Sequence, residues 1–168
     1  MVRNGHNNEA LSIYSKADMG NLNEDEKADA CLYEAIAWIE TGNASRAKAL
    51  LSVLANSKKH ELDYMYYSSY VDYVEGQYSK ALPGFIATAE THDFRRKSPV
   101  YTADCYLQLG RLDNALETIK EYNSIYGRTE LSVEAKRIEG EALYGKGRFY
   151  EAINVLTEYT SEADSPKR

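Results

Sequence analysis

Residues 101–119 read YTADCYLQLGRLDNALETI, and the step from Gly110 to Ala115 five positions later decides the fold. The same step occurs from Gly42 (GNASRA), Gly76 (GQYSKA) and Gly147 (GRFYEA), with a fifth copy, GHNNEA, from Gly5. Successive glycines stand 37, 34, 34 and 37 residues apart. Other positions repeat in phase. Nine residues before each full-copy glycine stand Tyr33, Tyr67, Tyr101 and Ile138, and seven before it Ala35, Ser69, Ala103 and Gly140. Four after each alanine stand Leu51, Phe85, Ile119 and Leu156. A period of this length marks an array whose units bury their apolar faces only against one another.

The local chemistry fits helical hairpins. Each glycine closes an apolar-periodic stretch, where a left-handed C-cap is needed. The small residues, including Ala47, Ala81, Ala115 and Ala152 on the following stretch, let paired helices approach to roughly 8–10 Å. The two longer steps place three extra residues in loops around 19–26 and 126–130. The pattern predicts nine helices: 7–17, 25–41, 44–56, 60–75, 77–90, 98–109, 112–125, 130–145 and 148–160. Ser98-Pro99 reads as an N-cap followed by a first-turn proline. Pro83 removes one backbone hydrogen bond inside its helix and predicts a bend there.

With these repeats in place, the chain resembles the tetratricopeptide repeat family over nearly its whole length. The resemblance implies an all-α, right-handed α-α superhelix forming one array, with units at 5–18 (partial), 25–56, 60–90, 98–125 and 130–160. The lone leading second helix and the Ser165-Pro166 pair, similar to Ser98-Pro99, suggest a piece cut from a longer repeat protein. The segments YVEGQYSKALPGF (73–85) and RIEGEALYGKGRFYEAI (137–153) look most like long bacterial repeat proteins, which tilts the expected location towards the periplasm or cell envelope.

The sequence offers no catalytic set. His6, His60 and His92 are widely separated, and no H-E-x-x-H, G-x-S-x-G or phosphate-loop motif occurs. Cys31 and Cys105 have no metal-ligand spacing; two units apart, they would sit about 20 Å from each other and form no disulfide. No cofactor or metal is expected, and the chain reads as not an enzyme. A formal net charge of −6 argues against a nucleic-acid partner, and no apolar run is long enough to insert in a membrane. The basic clusters SKKH (57–60) and FRRK (94–97) read as solvated loop charge, and Asn43-Ala44-Ser45 as capping sequence.

The expected activity is binding of a protein or peptide. With each glycine counted as position fifteen, the resemblance assigns the concave face to first-helix positions two, five, nine, twelve and thirteen. The candidate contacts are Leu32, Ile36 and Ile39, then Tyr66, Tyr70 and Tyr73, then Val100, Asp104 and Leu107, then Arg137 and Tyr144. Residues 61–80 hold six of the fifteen tyrosines, and Tyr66, Tyr70 and Tyr73 form one stripe at helical spacing. Tyrosine suits an apolar groove because it offers contact area, a polar tip and little rotamer entropy. The face lacks the lysine and asparagine pair by which chaperone-binding relatives clamp a terminal carboxylate. The chain departs from the family at position seven, usually leucine, which here is Glu34, Ser68, Thr102 and Glu139; the large residue stands at position six. That shift is worth one residue, or about 100° of rotation. The competing reading is a structural spacer whose repeats self-associate end to end.

Overall fold

The computed structural model describes residues 9, 11–13, 19–127 and 129–163. Among them run eight α-helices: α1 (Glu24–Glu40), α2 (Ala44–Leu54), α3 (Glu61–Val74), α4 (Tyr78–Thr88), α5 (Ser98–Gln108), α6 (Leu112–Tyr126), α7 (Ser132–Gly145) and α8 (Phe149–Ala163). Each matches an expected helix to within two or three residues. Of the leading helix, residues 9 and 11–13 are helical. The rest of it, the Gly5 repeat copy and Ser165-Pro166 lie outside the described residues.

The repeat glycines act as the sequence requires. Gly110 has φ +72, and its N–H donates to the Leu107 carbonyl at 3.0 Å while Arg111 N–H reaches back to Tyr106 O at 2.8 Å. These two bonds close a Schellman motif, satisfying carbonyls that the end of α5 would otherwise leave open. The same pair of bonds recurs at Gly42, Gly76 and Gly147, so one local device closes each of the four described first helices.

The chain divides into two compact units, Met1–Gln77 and Tyr78–Arg168. In the first, α1, α2 and α3 pack around Ala35, Ala47, Leu51, Leu54 and Val71, all essentially inaccessible. Ala35 and Ala47 carry the close approach of α1 to α2 that their size predicts. An Asn23–Glu26 capping box starts α1, with Asn23 Oδ1 accepting from Glu26 N–H at 3.0 Å and Glu26 Oε2 from Asn23 N–H at 2.9 Å. The N-x-x-E spacing of residues 23–26 is the sequence signature of this cap. Lys48 ties α2 to α3 through Glu75 (3.0 Å) and Asp72 (3.4 Å).

In the second unit, Val100, Ala103, Ala115, Ile119, Tyr122, Ala135, Ile138 and Ala142 form one core shared by α5, α6 and α7. Each large member contributes about 1.5–3 kcal/mol through its burial. Phe85 of α4 stacks on Tyr101 of α5 at 5.2 Å. At the α7–α8 crossing, Gly140 lies against Leu156, where an added Cβ would meet Leu156 Cγ and Cδ2 at 2.5 Å. Tyr122 Oη donates to the Arg96 carbonyl at 3.2 Å, tying α6 to the turn before α5.

Two capping expectations differ from the structure. Ser98 opens α5 with proline beside it, but its hydroxyl does not cap the helix: it faces Thr88 Oγ1 at 2.7 Å in a fully buried pair. That pair joins α4 to α5, and α4 ends at Thr88, two residues early. Asn43 precedes α2 without a side-chain capping bond. Tyr33 is 58% exposed, whereas its repeat counterpart Ile138 is fully buried. Pro83 sits inside α4, which continues through it.

Candidate partner-binding surface

The sequence places the candidate contacts on first helices, and each unit of the structure shows its share of them. In the first unit, Leu32 and Tyr66 are buried, so their side chains serve the fold. Ile36 and Ile39 are half-buried against the core. Tyr70 and Tyr73 are half-buried, with ring centroids 6.2 Å apart, and Val74 beside them is exposed. The i, i+3 spacing on α3 puts the two rings together. Tyr66 instead meets Tyr67 edge-on at 5.1 Å. Burial pushes the Tyr67 phenol up to about 12, so it stays neutral.

The basic cluster at 57–60 is built into the first unit rather than solvated throughout. Lys59 Nζ lies 2.6 Å from Asp29 Oδ1, and buried His60 stands between Asp29 (2.6 Å) and Asp63 (3.1 Å). Hydrogen bonds from Lys59 and His60 hold the Asp29 carboxyl below its usual range. Asp29 therefore joins the start of α1 to the turn before α3. Arg46 lies over the Trp38 ring at 4.4 Å, and the indole N–H donates to Glu34 at 3.2 Å.

In the second unit, Val100 and Asp104 are buried and Leu107 packs partly against the core. Arg137 gathers three carboxylates: Asp104 on α5 at 3.0 Å, Glu134 at 2.7 Å and Glu141 at 2.9 Å. Burial opposes its charge, yet hydrogen bonds to Glu134 and Glu141 and the charge of Asp104 raise its pKa overall. The guanidinium thus joins α7 to α5. Tyr144 is 64% exposed and meets Phe149 at 5.3 Å. Phe149, Tyr150 (88% exposed) and Ile153 continue an apolar stripe along α8. First-helix mapping missed that stripe because it lies on a second helix; the i, i+4 spacing of Phe149 and Ile153 was the available signal.

Both cysteines are free and buried, and burial pushes the Cys105 thiol up to about 12. Among the described residues, no group of three or more His, Cys, Asp or Glu is placed to hold a metal ion. None of the described helices is long and apolar enough to cross a membrane.

The helical hairpins, their Schellman turns and the small-residue crossings define a tetratricopeptide-like helical repeat fold. Solved structures agree. A point mutant of MamA superposes with TM-score 0.72 at 19% identity, covering 95% of this chain and 89% of that one. MamA from AMB-1 gives 0.71 at 18% identity over 98% and 87%. The nearly identical TPR-like repeats of a Podosopora anserina protein described as a kinesin light chain give 0.70 at 17% identity over 95% and 88%. No protein-family model matches the sequence, and no curated protein matches it significantly.

Proposed function

We propose that the chain is a non-enzymatic scaffold that holds a protein or peptide segment against the apolar and aromatic faces of its first helices. The observation that carries this reading is the paired Tyr70 and Tyr73 on α3, half-buried, 6.2 Å apart and bordered by exposed Val74. A helix face of this kind gives a partner's apolar side chains contact area with little rotamer entropy to lose. Within the first unit Ile36 and Ile39 on α1 extend the proposed contacts, and Leu107, Arg137 and Tyr144 offer a separate set in the second unit. Leu32, Tyr66, Val100 and Asp104 are buried and serve the packing of the helices that carry those contacts. The fold also favours binding, since tetratricopeptide-like repeats present extended surfaces.

The test is reconstitution. A partner identified by affinity capture is purified, and its Kd is compared for the parent chain and Tyr70→Ala/Tyr73→Ala. Loss of at least tenfold with unchanged helicity is expected; an unaltered Kd refutes the assignment. The alternative, a self-associating spacer, draws on the exposed stripe of Phe149, Tyr150 and Ile153. Sedimentation of Tyr150→Lys/Ile153→Lys separates the two readings, because only the spacer predicts concentration-dependent association that this variant abolishes.

A further inference from the structure

Position seven of the repeat is short or polar in all four copies, and in three of them a pocket borders it. Ser68 lines one of about 320 Å³ between α2 and α3. Thr102 lines one of about 450 Å³ among α4, α5 and α6. Glu139 lines one of about 450 Å³ among α6, α7 and α8. In the fourth copy, Glu34 accepts the Trp38 indole N–H.

The three pockets differ in chemistry. The Ser68 pocket carries Lys48 and Asp72, already an ion pair, and Ser68 Oγ donates to the Tyr64 carbonyl. The Glu139 pocket holds Lys136 and Glu158, again paired, and burial raises the Glu139 carboxyl above its ordinary value. Thr102 stands apart. Its hydroxyl is buried without a hydrogen-bond partner, and the walls around it are largely apolar: Ile86, Pro99, Tyr106, Tyr122 and Ile125. Ile86 and Ile125 are 49% and 61% exposed, so apolar surface continues outside the cavity. Glu90, Glu121 and Arg95 are exposed along the same pocket, leaving one excess negative charge.

We propose that the Thr102 pocket is a second docking site, for an extended protein segment that inserts a tyrosine with a lysine or arginine next to it. A volume of 450 Å³ falls within the range of ligand sites, which are mostly apolar with a few polar groups. The ring fills the space that a leucine at position seven would occupy. Its phenol stays at the charged mouth of the cavity, since a tyrosine ring suits a place with one apolar and one wet end. The basic neighbour meets Glu90 and Glu121, and apolar Ile86 and Ile125 favour a segment over an isolated ring. Pro99, Thr102 and Tyr106 lie roughly 130° around α5 from Val100, Asp104 and Leu107, at about 100° per residue. The site is therefore independent of the first-helix face, and its test is too.

The experiment follows methyl resonances of Ile86 and Ile125 in the full chain during titration with two probes, acetyl-Ser-Lys-Tyr-Ser-amide and acetyl-Ser-Glu-Tyr-Ser-amide. Saturable shifts are expected with the lysine peptide, at least threefold weaker with the glutamate peptide. Thr102→Leu should fill the pocket, leave thermal stability undiminished and weaken binding at least tenfold. Glu90→Lys/Glu121→Lys, both at exposed positions, should reverse the preference between peptides whether or not Thr102→Leu folds. Absence of saturable shifts, binding that survives in folded Thr102→Leu, or a preference unmoved by the charge reversal would each overturn the proposal.

Discussion

Gly140 offers the sharpest test of how this fold is packed, because two effects of known sign oppose each other there. Replacing an interior helix glycine by alanine ordinarily stabilises by about 0.5–1 kcal/mol, since the unfolded chain loses freedom. In α7 the added methyl would stand 2.5 Å from both Cγ and Cδ2 of Leu156 on α8. Turning a terminal methyl aside does not relieve a clash that includes Cγ. The leucine must leave its seat, or α8 must shift. Overpacking of this kind costs about 1–3 kcal/mol, so Gly140→Ala should destabilise by about 1–2 kcal/mol net. At this chain length that is a fall in Tm of about 2–8 °C. The assay is urea unfolding of the parent, Gly140→Ala, Leu156→Ala and the double variant. In the Leu156→Ala background the obstacle is gone, and Gly140→Ala should become stabilising by about 0.5–1 kcal/mol. The change of sign between backgrounds is the coupling that a double-mutant cycle isolates. A stabilising Gly140→Ala in the parent chain, or the same effect in both backgrounds, would refute the close-approach argument.

Gly110→Ala should cost about 1–2 kcal/mol through backbone conformation alone, since φ is +72 and a Cβ would meet nothing within 4 Å. Gly110→Asn should cost less in the same urea assay, and equal losses would exclude the conformational cause. Burial raises the Glu139 carboxyl, so the folded chain holds its proton more tightly than the unfolded chain. Stability is therefore gained as pH falls through the raised value and is forfeited above it, where the partly buried group is ionised. Glu139→Gln should raise Tm at pH 7, and its advantage should shrink as pH drops towards the ordinary carboxyl range of about 4.3; a pH-independent difference would refute this assignment. Cys105, buried and pushed up to about 12, should react with iodoacetamide at pH 8 only through opening of the fold, faster in sub-denaturing urea. Immediate labelling in native buffer would contradict its burial.

The helices were legible because their signals are local and repeated. A glycine at positive φ and a small residue at the crossing occur in each of the four described copies, and α1 to α8 follow from them. The joins between helices were less legible, because they depend on where a hydroxyl points in three dimensions. Ser98 resembles an N-cap in sequence, yet Thr88, ten residues earlier, takes its hydroxyl. The exposure of the candidate residues was less legible for a related reason. Nothing in the spacing of Leu32, Tyr66, Val100 and Asp104 separates an exposed side chain from a buried one, and all four are buried. The move of the large residue from position seven to position six invites the idea that Tyr101 compensates for Thr102. One residue along a helix is about 100° around it, and the Tyr101 ring goes to Phe85. Tyr101 is accordingly not among the side chains that line the pocket beside Thr102, which Ile86, Tyr106 and Ile125 border instead.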